Sequence, residues 1–521
     1  MAKEKYKPLS FSTTMRNPNR IADFLKCLIP FEGMLLTKDV IGNVVRKVIR
    51  EKIYRPNYIG KKLELSDIYQ SEDEYFSEDQ LEDIISHSPQ KHKESGLDAG
   101  WPSRFDTWYK LPMEFGFVKY AMDSKIEISA TGHMLVDAVN ETPINEQKIQ
   151  NIFLNSLVKY QTHNPYRKNK SDNVPLVLLL QVLQMLHDND SDSTGVFRQE
   201  LGFFICWTNN DAKALYDTIM MFREKYSFRH YTDELVYDEC LRIMHYTSVK
   251  DKNYIKKEKV TGEAIDEYIR KMRSTGLISL RGNGRFIDFN KLEIKKIEYV
   301  LNEYATYTLF SNKTAYFEYM GNIDPTIMEI QTDESVDLDY IRQKTLLEYA
   351  KKYDKQSIFI ELRNVCYKKE SKDPVFRVIS EPARFEFLTS ISLLQNFKEI
   401  KVLPNYAIDD GGLPTCTASG GKADIVCTDG NSQELVEVTL MCGRQQVNNE
   451  MLPISRHLSE AKKDNENTIA IFVAPRIHED VRRYIGFIKF TEELEIKAFD
   501  INEFMDELNN YASFRNMISD L

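Results

Sequence analysis

KADIVCTDGNSQELVEVTL, residues Lys422–Leu440, reads as two strands joined by a turn: KADIVC (Lys422–Cys427) and ELVEVTL (Glu434–Leu440), with Asp429-Gly430 in the connecting loop. Each strand carries an acid where a plain core strand would not. Asp424 lies between Ala423 and Ile425, and Glu437 lies between Val436 and Val438. A hairpin centred between Gly430 and Asn431 pairs residues whose numbers sum to 861, and Asp424 and Glu437 satisfy that sum. Directly opposed residues place their Cβ atoms about 4.5–5.5 Å apart. Two carboxylates held that close on a half-buried sheet repel, and burying unpaired charge is costly. A divalent cation that takes both as oxygen ligands removes the conflict. The alternative is an exposed acidic face.

Outward from this hairpin, the chain from about residue 375 alternates between helical and extended patterns. Pro382 suits the first turn of a helix that places Phe387, Leu388, Ile391 and Leu394 on one side. Residues 399–404 form a short strand candidate. After the hairpin come a helical stretch to about Lys463, the apolar strand Thr468–Ala474, and a helix from about His478. This pattern predicts a small α/β domain.

The amino-terminal half reads differently. VTGEAIDEYIRKMRSTGLISLRGNGRFIDFN (residues 260–290) predicts a helix capped by Thr261, with Ala264, Tyr268 and Met272 at helical spacing and Gly276 at its end. Strands Leu277–Leu280 and Phe286–Phe289 then flank a basic, glycine-rich loop at Arg281–Arg285. Helix, strand, wing, strand is the order of a winged helix, in which Arg270, Lys271, Arg273, Arg281 and Arg285 would face DNA. A winged helix used for protein contacts is the alternative. A weaker copy runs from Trp101 to Val139, with Ser103 as cap, Gly116 as helix stop, and Thr131 opening a further helix. Its Arg104 and Lys110, the loop residues Arg167, Lys168 and Lys170, and Arg198 are further DNA-contact candidates. The segment FSTTMRNPNR (Phe11–Arg20) adds Arg16, Asn17, Asn19 and Arg20, residue types that suit bidentate readout of guanine and adenine.

The bulk numbers agree with this division. A chain of 521 residues predicts several domains. The net charge of −10 is uneven. Residues 1–300 hold 44 Lys and Arg against 43 Asp and Glu, whereas residues 301–521 hold 25 against 36. The basic charge thus falls in the half expected to meet DNA, and the acidic excess in the half expected to hold cations. No apolar run is long enough for a membrane span, and the start lacks a signal-peptide core. The seven cysteines are scattered and never spaced C-x-x-C, which argues against a disulfide framework or a zinc site and for a cytoplasmic protein.

Ala-Asp-Ile, a turn and Val-Glu-Val-Thr resemble the PD-(D/E)XK nuclease core. With FSTTMRNPNR and the series GGKADIV, ELVEVTL, RQQVNNEM and ISRHL, nearly the whole chain resembles the AlwI family of type IIS restriction endonucleases, which includes strand-specific nicking enzymes. The resemblance implies a bacterial, Mg²⁺-dependent DNA endonuclease that cuts at an offset from an asymmetric site. It places catalytic carboxylates at Glu386, Asp424, Glu437 and Glu450, with metal held by Asp424, Glu437 and Glu386. One departure stands out: the general nuclease pattern expects lysine two residues beyond Glu437, and this chain has Thr439. Its work would pass to metal-bound water, to Glu450, or to a nearby cation such as Lys422 or Arg444. His457 is a candidate phosphate ligand.

The expected layout is a multidomain α+β chain. A DNA-recognition domain at 1–140 precedes a second, helical one at 141–305 with its winged helix at 260–290. A linker at 306–345 and an α/β PD-(D/E)XK-like nuclease domain at 346–521 follow. One carboxylate set cuts one strand, so double-strand cleavage implies a transient dimer or a second nuclease subunit. The competing reading is a non-catalytic winged-helix DNA-binding regulator with an inert nuclease-like domain.

Overall fold

The computed structural model describes residues 6–11, 20–71, 74–91, 93–94, 96–141, 145–167, 169–190, 193–227, 230–246, 255–330, 337–418, 421–429 and 432–519. The chain forms two compact units. One comprises Met1–Ser66, Phe76–Val139 and Lys148–Asp333; the other comprises Asp67–Tyr75, Asn140–Gln147 and Glu334–Leu521. The two recognition domains expected at 1–140 and 141–305 therefore fall largely within one unit.

In the first unit, a helix at Trp101–Glu114 buries Phe105, Trp108 and Leu111. It begins at Trp101 with Pro102 in its first turn, two residues before the expected cap. Ser103 is instead buried, its hydroxyl donating to the Asp98 carbonyl at 2.7 Å. Gly116, at φ +75°, turns the chain into strand β1 (Val118–Lys119), which pairs antiparallel with β2 (Glu127–Ile128). The following helix, Ala130–Asn140, is opened by Ser129 rather than Thr131: the Ser129 hydroxyl accepts the Gly132 N–H at 3.1 Å.

The second helix–strand–strand element has the expected order. A single π-helical turn at Lys259–Glu263 runs into the helix Ala264–Arg273, which buries Ala264, Tyr268 and Met272. Thr261 is not its cap, because its hydroxyl donates back to the Lys257 carbonyl at 3.2 Å. Strand β3 (Val196–Phe197) lies in the region read as helical. It joins β4 (Ile278–Arg281) and β5 (Phe286–Phe289) in an antiparallel sheet of order β3-β5-β4. Between β4 and β5, Gly282, Asn283 and Gly284 all take positive φ.

The stretch expected as a linker is partly core. Helices at Lys313–Gly321 and Pro325–Glu329 bury Tyr316, Met320 and Ile327. The first of these helices approaches so closely that a Cβ on Gly116 would lie 2.3 Å from the Met320 Cβ.

The second unit is built on a five-stranded mixed sheet of order β12-β11-β10-β9-β6. Strand β6 spans Lys401–Pro404, β9 Ile425–Thr428, β10 Gln433–Val438, β11 Ile469–Ala474 and β12 Ile496–Asp500. Strands β6, β9 and β10 are antiparallel neighbours, while β10, β11 and β12 run parallel. Parallel strands need crossovers, supplied here by the helices Leu452–Asp464 and Glu479–Glu492. Met451, Ile454, Leu458, Val481 and Ile488 from these segments pack with Leu435, Ala470 and Phe472 of the sheet. Strand β11 is buried from Ala470 to Ala474, which explains its continuous apolar run. The helix Glu381–Asn396 packs beside β6 and beside β8 (Pro414–Ala418), the partner of β7 (Tyr406–Ile408) in a small second sheet.

Candidate active site

The β9–β10 ladder pairs Thr428 with Gln433 and continues to Ile425 with Val436, so every pair sums to 861 as expected. Extending it by one residue opposes Asp424 to Glu437. Asp424 stands just ahead of β9, where Asn405 holds the chain: its N–H donates to the Asp424 carbonyl at 2.8 Å and its side-chain amide to the Ala423 carbonyl at 2.7 Å. The Asp424 N–H donates to Glu437 Oε2 at 3.3 Å, and the Val438 N–H donates to Asp424 Oδ2 at 2.8 Å. Glu437 is only 7% exposed.

Two further acids come from outside the hairpin. Glu386, 2% exposed on the helix Glu381–Asn396, accepts the Ala418 N–H of β8 at 3.1 Å on Oε2. Glu450 lies in a π-helical turn, Val447–Met451, that leads into the helix Leu452–Asp464. Such a turn holds one residue more than an α-turn and re-aims the side chains that follow. Glu450 Oε1 accepts the Thr439 hydroxyl at 2.7 Å. Thr439, in the place of the expected lysine, thus meets an acid.

The candidate cations stand elsewhere. Lys422 is exposed, and residues 421–424 form a turn and bend rather than the strand expected to begin at Lys422. Arg444 pairs with Asp480 at 3.2 Å and is 72% exposed. His457, proposed as a phosphate ligand, lies against an acid instead: its Nδ1 is 2.9 Å from Glu437 Oε1. Both oxygens of Glu437 are therefore engaged, one by the histidine and one by the Asp424 N–H.

The electrostatics are those of an acid cluster short of positive charge. Burial, then the charge of Glu437, pushes the Asp424 carboxyl well above its ordinary range, against the opposing pull of the Val438 N–H. Burial, then Asp424, does the same to Glu386. Glu450 is pushed up to about 7 by burial; the Thr439 hydroxyl opposes this, and Glu437 adds to it. A divalent cation would relieve all three, and a set made only of oxygen donors suits a hard ion such as Mg²⁺. Among the described residues no group of three or more His, Cys, Asp or Glu is gathered as a metal cage. In particular, Glu386 does not complete a three-ligand set with Asp424 and Glu437. Mg²⁺ is commonly held by one or two carboxylates with waters and substrate phosphate completing its shell, and the Asp424–Glu437 pair offers that number.

The DNA-contact candidates divide sharply. Arg16, Asn17, Asn19 and Lys168 lie outside the described residues. Several others are used within the fold. Lys271 is fully buried, 3.4 Å from Glu267, and burial lowers its pKa to about 8. Arg270 bonds Glu267 at 2.8 Å, and buried Arg273 reaches the Ile278 carbonyl at 3.4 Å. Arg198 pairs with Asp266. Arg167 bonds buried Glu114 at 2.6 Å and the Ser10 carbonyl at 2.6 Å. Arg281 contacts Asp288 at 3.5 Å and the Phe289 carbonyl at 2.9 Å. The helix Ala264–Arg273 accordingly turns its basic residues to Glu267, one turn back on the same helix, and to the Ile278 carbonyl. Arg104 stacks over Tyr54, Lys110 approaches Glu94 at 3.4 Å, and Arg20 donates to the Ile53 carbonyl at 2.7 Å while remaining exposed. Arg285, in the β4–β5 turn, is exposed, as is Lys170. Among the described residues no helix is long and apolar enough to cross a membrane.

The profile of the AlwI restriction endonuclease family matches residues 113–338 and 323–506 of this chain. The small subunit of the heterodimeric restriction endonuclease R.BspD6I is 24% identical over 32% of this chain and 90% of its own, with a TM-score of 0.27. Restriction endonuclease FokI is 10% identical over 99% of this chain and 98% of its own, with a TM-score of 0.27. FokI bound to DNA gives a TM-score of 0.25, again at 10% identity. No curated protein matches the chain.

Proposed function

This chain belongs to the AlwI restriction endonuclease family and is a site-specific deoxyribonuclease, and from that premise we propose how its two units share the work. The second unit hydrolyses the phosphodiester bond, with Mg²⁺ as cofactor and with Asp424, Glu437, Glu386 and Glu450 as its acids. The first unit reads double-stranded DNA at an asymmetric site. A reader and a cutter in separate units cut at an offset, which is type IIS behaviour.

The observation that carries the catalytic part is the reciprocal bonding of Asp424 and Glu437 beside buried Glu386 and half-buried Glu450. When bound, a divalent cation supplies the Lewis acidity that lowers the pKa of water and offsets charge on the scissile phosphate. Asp424 and Glu437 hold it. His457 fixes Glu437 through Oε1, as the partners of ligating groups commonly do. Glu386, fastened to the Ala418 N–H, adds its charge to theirs. Glu450 accepts the proton of the attacking water on Oε2, its Oε1 being held by the Thr439 hydroxyl.

In the first unit, the helix–β4–turn–β5 element is a winged helix whose exposed turn, with Arg285, touches the phosphate backbone. Arg20 and Lys170 are exposed and extend that contact. A chain with one carboxylate set cuts one strand; a second copy or another nuclease subunit supplies the second cut.

The test is incubation of the pure protein with supercoiled plasmid and Mg²⁺, followed by run-off sequencing of both strands. Breaks at a constant distance from one asymmetric sequence support the proposal, and their presence on one strand or both separates nicking from double-strand cleavage. Retention of DNA with no breaks would favour the DNA-binding regulator.

A further inference from the structure

Thr439 occupies the position where a nuclease of this type would carry a lysine, and both its N–H and its hydroxyl have partners. Its N–H continues the β10–β11 ladder by donating to the Val473 carbonyl at 3.0 Å. The Met441 N–H donates to its hydroxyl oxygen at 3.0 Å. A threonine hydroxyl has one proton to donate. With Met441 on a lone pair, that proton is directed to Glu450 Oε1 at 2.7 Å.

The loop that carries Glu450 back to this hydroxyl is also pinned. Gln446 is fully buried, and its amide donates to the carbonyls of Met441 and Arg476 at 2.9 Å each. Its Oε1 accepts the His478 N–H at 3.0 Å. One glutamine therefore closes the 441–446 loop on itself and ties it to the chain after β11. The π-helical turn Val447–Met451 follows at once and carries Glu450 to Thr439.

We infer that Thr439 is the positioning residue of Glu450, its hydroxyl holding Oε1 so that Oε2 is left as the oxygen that takes the proton. Thr439 does not itself touch the reacting atoms. The exchange of lysine for threonine removes an ammonium and gives its place to a hydroxyl that fixes an acid. This inference rests on the endonuclease reading above.

The experiment compares the full-length protein with Thr439→Ser, Thr439→Val and Thr439→Ala on supercoiled plasmid with Mg²⁺, together with gel retardation of the same DNA without metal. Serine keeps the hydroxyl, valine keeps the bulk, and alanine keeps neither. Thr439→Ser should cut within about threefold of the unaltered protein, while the other two lose about 10- to 100-fold in kcat. KM and metal-free retention should stay unchanged in all three, a split that general loss of structure would not produce. Rates that follow bulk rather than the hydroxyl, or Thr439→Val and Thr439→Ala cutting as fast as the unaltered protein, overturn the inference. If the unaltered protein leaves the plasmid intact, the endonuclease reading falls instead.

Discussion

Asp424 and Glu437 hold one another through the backbone: the Asp424 N–H donates to Glu437 Oε2, and the N–H of Val438, the residue after Glu437, donates to Asp424 Oδ2. Like charges at this separation would ordinarily splay apart. Each carboxylate is instead kept in place by an N–H from the partner's strand, so the pair is preorganised before any ligand arrives. Burial and the nearby charge of Glu437 raise the Asp424 pKa, against the opposing pull of the Val438 N–H.

Asp424→Ala and Glu437→Ala should each lower the cleavage rate by on the order of a thousandfold while leaving specific DNA retention intact. Plasmid cleavage with Mg²⁺ and gel retardation without it are the two measurements. Cleavage surviving in either variant would remove that residue from the metal site.

The metal-free protein should lose stability as pH rises. Glu450 has its pKa raised from 4.5 to about 7 in the folded chain, and Asp424 and Glu386 move in the same direction. Folding therefore favours the neutral acids. Their contribution is complete below the unfolded pKa and is lost as pH climbs through the folded one. Calorimetric melting in a chelator should show a falling midpoint between about pH 4.5 and about pH 7, with a shallower fall in Glu450→Gln. Added Mg²⁺ should raise the midpoint more at the alkaline end. Equal slopes in the two proteins would contradict the assignment for Glu450.

Arg285→Ala should weaken DNA binding and reduce the slope of log affinity against log salt by about one. Lys271→Met should leave that slope alone, because the ammonium is sealed inside the fold against Glu267. Titrations at several salt concentrations decide this, and an unchanged slope for Arg285→Ala would mean the β4–β5 turn does not face the duplex.

Gly116→Ala should destabilise the first unit by about 2–4 kcal/mol in urea unfolding, since the position needs a left-handed backbone and has no room for a methyl group. The new Cβ would lie 2.3 Å from the Met320 Cβ and 2.8 Å from its carbonyl carbon. A neutral outcome would show that the Lys313–Gly321 helix does not pack there.

Much of the hairpin was legible in sequence. Strand pairing has a period of two and a turn has a centre, so the register through Asp424 and Glu437 followed once the turn was placed. Glu386 was reached only through resemblance. The strand that binds it, β8, was overlooked because PTCTA is short, opens on a proline and carries only small side chains, although it alternates apolar and polar residues. The π-helical turn under Glu450 was equally hidden, because Pro453 marks where a helix can begin but not how the preceding turn is wound.

The basic residues of the helix Ala264–Arg273 mark the other limit. Ala264, Tyr268 and Met272, noted for their helical spacing, are buried, and Lys271, Arg273 and Arg270 were read as a DNA face. Glu267, one turn back on the same helix, and the nearby Ile278 carbonyl take these cations; that the pairs face inward rather than to water follows from the burial of this helix by the rest of the fold. Local periodicity by itself determined the hairpin, its register and the pairing of its two acids, because those follow from neighbours along the chain. Which acids gathered round that pair, which cations were spent internally, and what stands in for the missing lysine were decided by tertiary contacts, since burial and charge pairing depend on residues distant in sequence.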